Sequence, residues 1–156
     1  MNMNIGQQIL TCFVLMSIIG CVSCTPKKKT SIKDLVWLEG QWMLDDGVSY
    51  EEWEWKDGEF NGLVFSRTAD TITERLRIFD AKGTVMYEAT VFNQNDGQPV
   101  LFAMDSKGLD SLHFVNMNHD FPNYILYKKM SDSTLYCRTH SISNDGFSFT
   151  MTKRKQ

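Results

Sequence analysis

No apolar run in this chain approaches the ~20 residues that a membrane-spanning helix needs; the main one, Ile9–Gly20, falls well short. Histidine is scarce and scattered at His113, His119 and His140. Beyond Cys24 there is no Cys-x-x-Cys or His-x-x-x-His pair, so no metal site is expected. A Gly-x-Ser-x-Gly nucleophile elbow, a P-loop and a dinucleotide fingerprint are all absent, so no motif of those kinds points to a reaction. Basic charge is in deficit. From Asp34 onward twelve lysines and arginines face nineteen acids, a net of −7, and this argues against a nucleic-acid partner. Cys12, Cys21, Cys24 and Cys137 are too few for a disulfide framework, and the fold is expected not to rely on a Cys24–Cys137 bridge. After Asp34 the 3.6-residue apolar period is missing, so no helix is expected there.

What is present begins with an address. The first twenty residues carry no acidic or basic side chain, and Ile9–Gly20 has the length of a signal-peptide core. It ends at Ile18-Ile19-Gly20-Cys21, which resembles a bacterial lipobox, although Met1–Gln8 lacks the usual Lys or Arg. Residues 1–20 therefore read as a lipoprotein signal peptide and Cys21 as the lipidated residue, with Cys24 a weaker second candidate. Val22 follows the anchor where an Asp would direct retention at the inner membrane, so the outer membrane of a bacterial envelope is favoured. Residues 21–34 read as a polar tether. Its Lys27-Lys28-Lys29 triplet either sits on anionic headgroups or is merely solvated.

Residues 35–156 form one domain of short alternating runs separated by turn residues. The runs are 36–44, 49–56, 60–66, 71–79, 85–92, 99–105, 111–115, 123–129, 134–142 and 147–154. Asp45-Asp46-Gly47, Lys56-Asp57-Gly58, Lys82-Gly83, Ser106-Lys107-Gly108 and Asn144-Asp145-Gly146 punctuate them and supply the positive φ that tight hairpins need. About ten strands on short connections predict an all-β, up-and-down antiparallel barrel, with a flat sandwich as the alternative. Period-two alternation puts Glu74 inward with Ile72, Leu76 and Ile78, and Tyr87 inward with Val85, Ala89 and Val91. Glu51, Glu52 and Glu54 read as a mostly solvated face beside Trp53 and Trp55.

Gly40-x-Trp42 near the start resembles the first strand of lipocalin-like barrels. Together with Trp37-x-x-Gly40-x-Trp42, the segments Glu51-Glu52-Trp53, Glu74-x-x-Arg77-Ile78 and Phe114-x-Asn116-x-x-His119-Asp120-Phe121-Pro122 are similar, in order, to a bacterial family. That family is known as a domain of unknown function with a lipocalin-like (calycin) barrel. The likeness spans about residues 35–154, and Glu54 between two tryptophans departs from it. It implies that Trp42 closes the barrel floor under a basic residue of the last strand, here Arg154, and that Gly40 lets the strands approach closely. The family's shared polar positions fall on Glu52, Glu74, Asn116, His119 and Asp120. It implies no particular reaction.

Three functional readings follow. The first is a monomeric binding module for a small apolar or amphipathic molecule, with Glu74, Tyr87, Asn116, His119, Tyr127 and Arg138 as candidate contacts. An inward carboxylate at Glu74 needs a partner or a raised pKa, and Arg138, Tyr127, Tyr87 or His119 would serve. The second is an acid–base enzyme, a hydrolase or isomerase, using His119 with Asp120 or Glu74. Against it stands a structural role, with His119 on a carbonyl and Asp120 on loop amides. The third is an envelope scaffold with a filled core. No cofactor is expected; haem on His119 or His140 would rest on one histidine alone.

Overall fold

The computed structural model describes residues 31–105 and 111–155. The signal segment, the Cys21 and Cys24 anchor candidates, the lysine triplet and the Ser106-Lys107-Gly108 turn lie outside the described residues. Ten antiparallel strands follow in chain order: β1 Gly40–Leu44, β2 Ser49–Lys56, β3 Glu59–Ser66, β4 Thr71–Ala81, β5 Thr84–Val91, β6 Val100–Met104, β7 Ser111–Val115, β8 Tyr124–Ser131, β9 Thr134–His140 and β10 Gly146–Lys153. Each pairs with its neighbours in sequence, and β1 pairs with β10 through Trp42–Lys153, Met43–Thr152 and Leu44–Met151. The up-and-down barrel is thus closed, and no strand of it keeps the free edge that a sandwich would expose.

Local chemistry sets the hairpins. Asp57 and Gly58 (φ 54° and 87°) form a two-residue link between β2 and β3, and Lys82 and Gly83 (53° and 88°) do the same between β4 and β5. Two successive positive φ angles give the primed turn whose twist matches that of the strands.

The start of the domain departs from expectation. Ile32–Leu38 is a 3-10 helix, and β1 begins only at Gly40. Ser31 caps it reciprocally with Asp34: the Ser31 hydroxyl accepts from a first-turn amide, and the Asp34 carboxylate accepts from the Ser31 amide at 2.9 Å. Ile32, Leu35 and Leu38 are spaced by three, so at three residues per turn they line up on one face, and all three are buried. A search for the 3.6 period passes over such a helix.

This helix plugs one end of the barrel. Trp42 is buried against it and donates its indole N–H to the Leu38 carbonyl at 2.7 Å. The cation over the Trp42 ring is Lys153, 4.9 Å from the centroid, rather than Arg154. Met151 and Lys153 share the inward side of β10, whereas Arg154 falls on the opposite parity, over Tyr50 at 5.9 Å and donating to Gln41 Oε1 at 3.3 Å. Gly40 (φ 117°) is needed here, since a Cβ would stand 2.9 Å from Lys153 Cε.

Above the plug the barrel is solid, filled by Trp53, Phe60, Leu76, Ile78, Leu112, Phe114, Leu135 and Met151. Trp53 lies across Gly62, its partner on β3. A Cβ there would meet two Trp53 ring carbons at 2.8 Å and Leu76 Cβ at 3.0 Å. Gly62→Ala is therefore expected to cost about 1–3 kcal/mol as an overpacking substitution, read from urea denaturation. An unchanged midpoint would show that Trp53 has room to shift.

Candidate functional site

The other end of the barrel is open. The connections β1–β2, β3–β4, β5–β6, β7–β8 and β9–β10 all lie opposite the plug, because strand direction alternates along the meander. Between them a cavity of about 560 Å³ descends into the barrel. Its walls are small and aliphatic or aromatic, among them Val64, Ala89, Val100, Phe102, Ile125 and Phe149. The inward face of β5 shows how the space arises: Val85 and Tyr87 fill the barrel low down, and the smaller Ala89 and Val91 leave room above. The mouth carries two half-exposed rings, Phe121 and Phe147, with centroids 6.1 Å apart.

At the bottom of the cavity sits a carboxylate, Glu51, that the sequence places on a mostly solvated face. Glu51 points inward and is only 5% exposed, which corrects its assignment to a solvated face. Glu51, Trp53 and Trp55 share one side of β2, and both tryptophans pack inside the barrel: Trp53 is buried and Trp55 packs edge-on against Phe60. Glu52 and Glu54 take the outer side, and Gln41 donates to Glu52 Oε2 at 3.0 Å. The Glu-x-Trp-x-Trp alternation was the signal available for this residue.

Glu51 is held by neutral donors alone. The Trp53 indole N–H donates to Oε2 at 2.9 Å, and the Tyr127 hydroxyl lies 3.2 Å from both carboxylate oxygens. The Tyr87 hydroxyl stands 3.4 Å from that of Tyr127, extending the chain across the barrel. Among the described residues no cation offsets the charge, so burial pushes the Glu51 carboxyl up to about 7, and the field of Glu74 adds to the rise. Burial and the Glu51 charge also raise the Tyr87 and Tyr127 phenols well above the usual range, so both remain protonated donors. Cys137 lies beside them. Burial pushes its thiol up as well, which makes it an inert lining group and no nucleophile.

Glu74 does face the cavity, and burial raises its carboxyl. Register places it precisely where a second charge matters, since Glu51 pairs with Val64 and Val64 pairs with Glu74. The two carboxylates are thus separated by one strand on the same inner wall. Among the described residues no side chain donates to Glu74. Arg138, a candidate partner, lies at the mouth with its guanidinium on the Asn144 carbonyl at 3.1 Å and on Asn144 Oδ1 at 3.0 Å.

The His119-Asp120 loop overhangs the mouth. His119 Nδ1 lies 2.9 Å from the Pro122 carbonyl and must donate to it, while Nε2 lies 3.3 Å from Asp120 Oδ1. The adjacent side chains therefore do meet, although Asp120 is nearly fully exposed and also accepts from the Phe121 amide at 2.8 Å. His119 packs edge-on against Phe102 and lines the cavity; Asp120 does not line it. Asn116 does not line it either. Its side chain donates to the Leu101 carbonyl at 2.9 Å and accepts from the Asn118 amide at 3.0 Å, which makes it part of the loop's frame.

The main brace of that loop is Asn123, 3% exposed and not singled out from sequence. Its amide donates to the carbonyls of Asn116 (3.2 Å) and His119 (2.6 Å), and its oxygen accepts from the Ile142 amide at 3.1 Å. Much of the Asn-x-x-His-Asp-Phe-Pro-Asn run is thereby accounted for by loop architecture. Asn123→Ala removes the side-chain partner of three part-buried backbone groups and is expected to cost about 1–3 kcal/mol. Amide exchange should accelerate in residues 116–123 and at Ile142; protection left as before would contradict the assignment.

Among the described residues, no group of three or more His, Cys, Asp or Glu side chains is placed to hold a metal ion. No family model matches the chain, and no curated protein matches it in sequence.

Proposed function

We propose that this protein is a binding module, a barrel that holds one small apolar or amphipathic molecule. The observation that carries this reading is the cavity: about 560 Å³, apolar along its walls, open at one end and polar at its bottom through Glu51, Tyr127 and Tyr87. That size and lining suit a small-molecule site, in which a few placed polar groups orient a ligand held by apolar contact. A scaffold with a filled core has no use for such a space. The exposed rings of Phe121 and Phe147 give an apolar ligand a surface to meet first.

The resemblance to the lipocalin-like family supports the same reading. So does the lipobox-like Cys21, which would tether a monomeric barrel to the outer membrane, near a supply of amphipathic molecules. Native mass spectrometry after exposure to lipid extracts, with titration of tryptophan emission, is the test. Retention of a small molecule in one-to-one ratio is expected, and its absence across the panel would overturn the proposal. Cys21→Ala is expected to leave the chain unprocessed or released from the membrane. Retention at mature size would move the anchor to Cys24.

A further inference from the structure

The cavity is acidic where a fatty-acid carrier would need to be basic. Four carboxylates line it: Asp45, Asp46, Glu51 and Glu74. Asp45 Oδ2 accepts from the Thr150 amide and Asp46 Oδ1 from the amides of Val48 and Ser49, so these two are engaged in rim turns. Glu51 and Glu74 have no such backbone role. They face the cavity from β2 and β4 across Val64, so their Cα atoms are roughly 10 Å apart at ordinary strand spacing. That gap suits a single small cation seated between the two side chains.

Among the described residues none places a cation here. The Arg138 guanidinium is on Asn144, and the His119 ring is on Pro122 and Asp120 at the mouth. A divalent metal is poorly served by two carboxylates on an otherwise apolar wall, where the remaining oxygen ligands it requires are missing. A neutral ligand would leave Glu74 shielded from water and unpaired, and an anionic one would meet two like charges.

We propose that the ligand is an organic amine, a cationic amphiphile whose ammonium sits between Glu51 and Glu74 with its apolar body along Val100, Phe102 and Phe149. This rests on the binding reading above and names the ligand's class. The ammonium supplies the opposite charge both carboxylates lack, and its N–H groups can donate to both Glu51 and Glu74. The apolar walls above the carboxylates exclude water from the pair and so strengthen it.

The test is calorimetric titration of the full-length protein at pH 7.5 with dodecylamine, dodecanol and dodecanoate, which share a tail and differ in headgroup. The amine is expected to bind at least about tenfold tighter than the alcohol, with the carboxylate weakest. In Glu74→Gln the amine-to-alcohol ratio should fall several-fold, and a melting curve on the same sample verifies folding. If the three probes bind alike, the amine proposal fails while the binding module stands. If none binds, both fall. A ratio unmoved in folded Glu74→Gln would also overturn the assignment of the ammonium site.

Discussion

Glu51→Gln will be more stable than the wild-type protein at pH 8, and the advantage will vanish as pH is lowered to 4.5. The folded protein holds this carboxyl at about 7 against 4.5 for an ordinary glutamate. A raised folded value means that the proton is bound more tightly in the folded state. Its contribution to stability is complete below 4.5, declines as pH rises, and is lost above about 7, where folded and unfolded chains are both ionised. The gap between those two values corresponds to about 3 kcal/mol. In a domain of this size that is a Tm difference of roughly 10 °C.

Glutamine mimics the neutral acid in shape and still accepts from Trp53 and Tyr127, so the variant lacks only the titration. Urea unfolding of both proteins from pH 4.5 to 8 measures the effect. Trp53 offers an independent readout, because its indole donates directly to Glu51 Oε2. Its emission should titrate near pH 7 in the wild type and stay flat in Glu51→Gln. Parallel stability curves for the two proteins would show that Glu51 is solvated or paired, and the acidic cavity bottom would then need another account.

Trp42→Ala is the second large effect, a loss of about 3–5 kcal/mol. The side chain is 1% exposed, seals the plugged end and is bonded to the Leu38 carbonyl, so its removal leaves a void between the 3-10 helix and the barrel. Trp42→Phe keeps most of the ring and should cost about 1–2 kcal/mol, chiefly the hydrogen bond. The same experiment separates the basic residues Lys153 and Arg154 at the end of the chain's last strand. Lys153→Ala is expected to cost about 1 kcal/mol through its contact with the ring, and Arg154→Ala less, since Arg154 lies outside over Tyr50. Chemical denaturation of the four variants gives the order. Arg154→Ala exceeding Lys153→Ala would reverse the placement of the two side chains.

Much of the barrel was legible in the chain because hairpins and alternation are local. Asp57-Gly58 and Lys82-Gly83 announce primed turns by their φ requirements, and β5 alternates so regularly that Val85, Tyr87 and Ala89 could be placed without any tertiary information. The helix at Ile32–Leu38 was not legible, because a spacing of three over seven residues is shared by many irregular segments. The sequence does not separate Lys153 from Arg154, because a neighbour one position away differs only in parity, and parity depends on the register with β1.

Glu74 reads as inward from its own strand, whereas Glu51 is hidden among three glutamates in four positions, whose charge suggests solvent whatever their parity. Asn116 and Asn123 look equally polar in sequence, yet one frames the loop from its surface and the other braces it from within. The chain alone determined a ten-strand meander with an inward acid, since each of those properties is set by residues near one another in sequence. The registers of β2, β3 and β4 put Glu51 and Glu74 on one wall, and only closure of β1 on β10 decided that this wall faces a water-poor interior beneath an open mouth. A carboxylate's charge state depends on what surrounds it on every side, and those surroundings come from strands far apart in the chain.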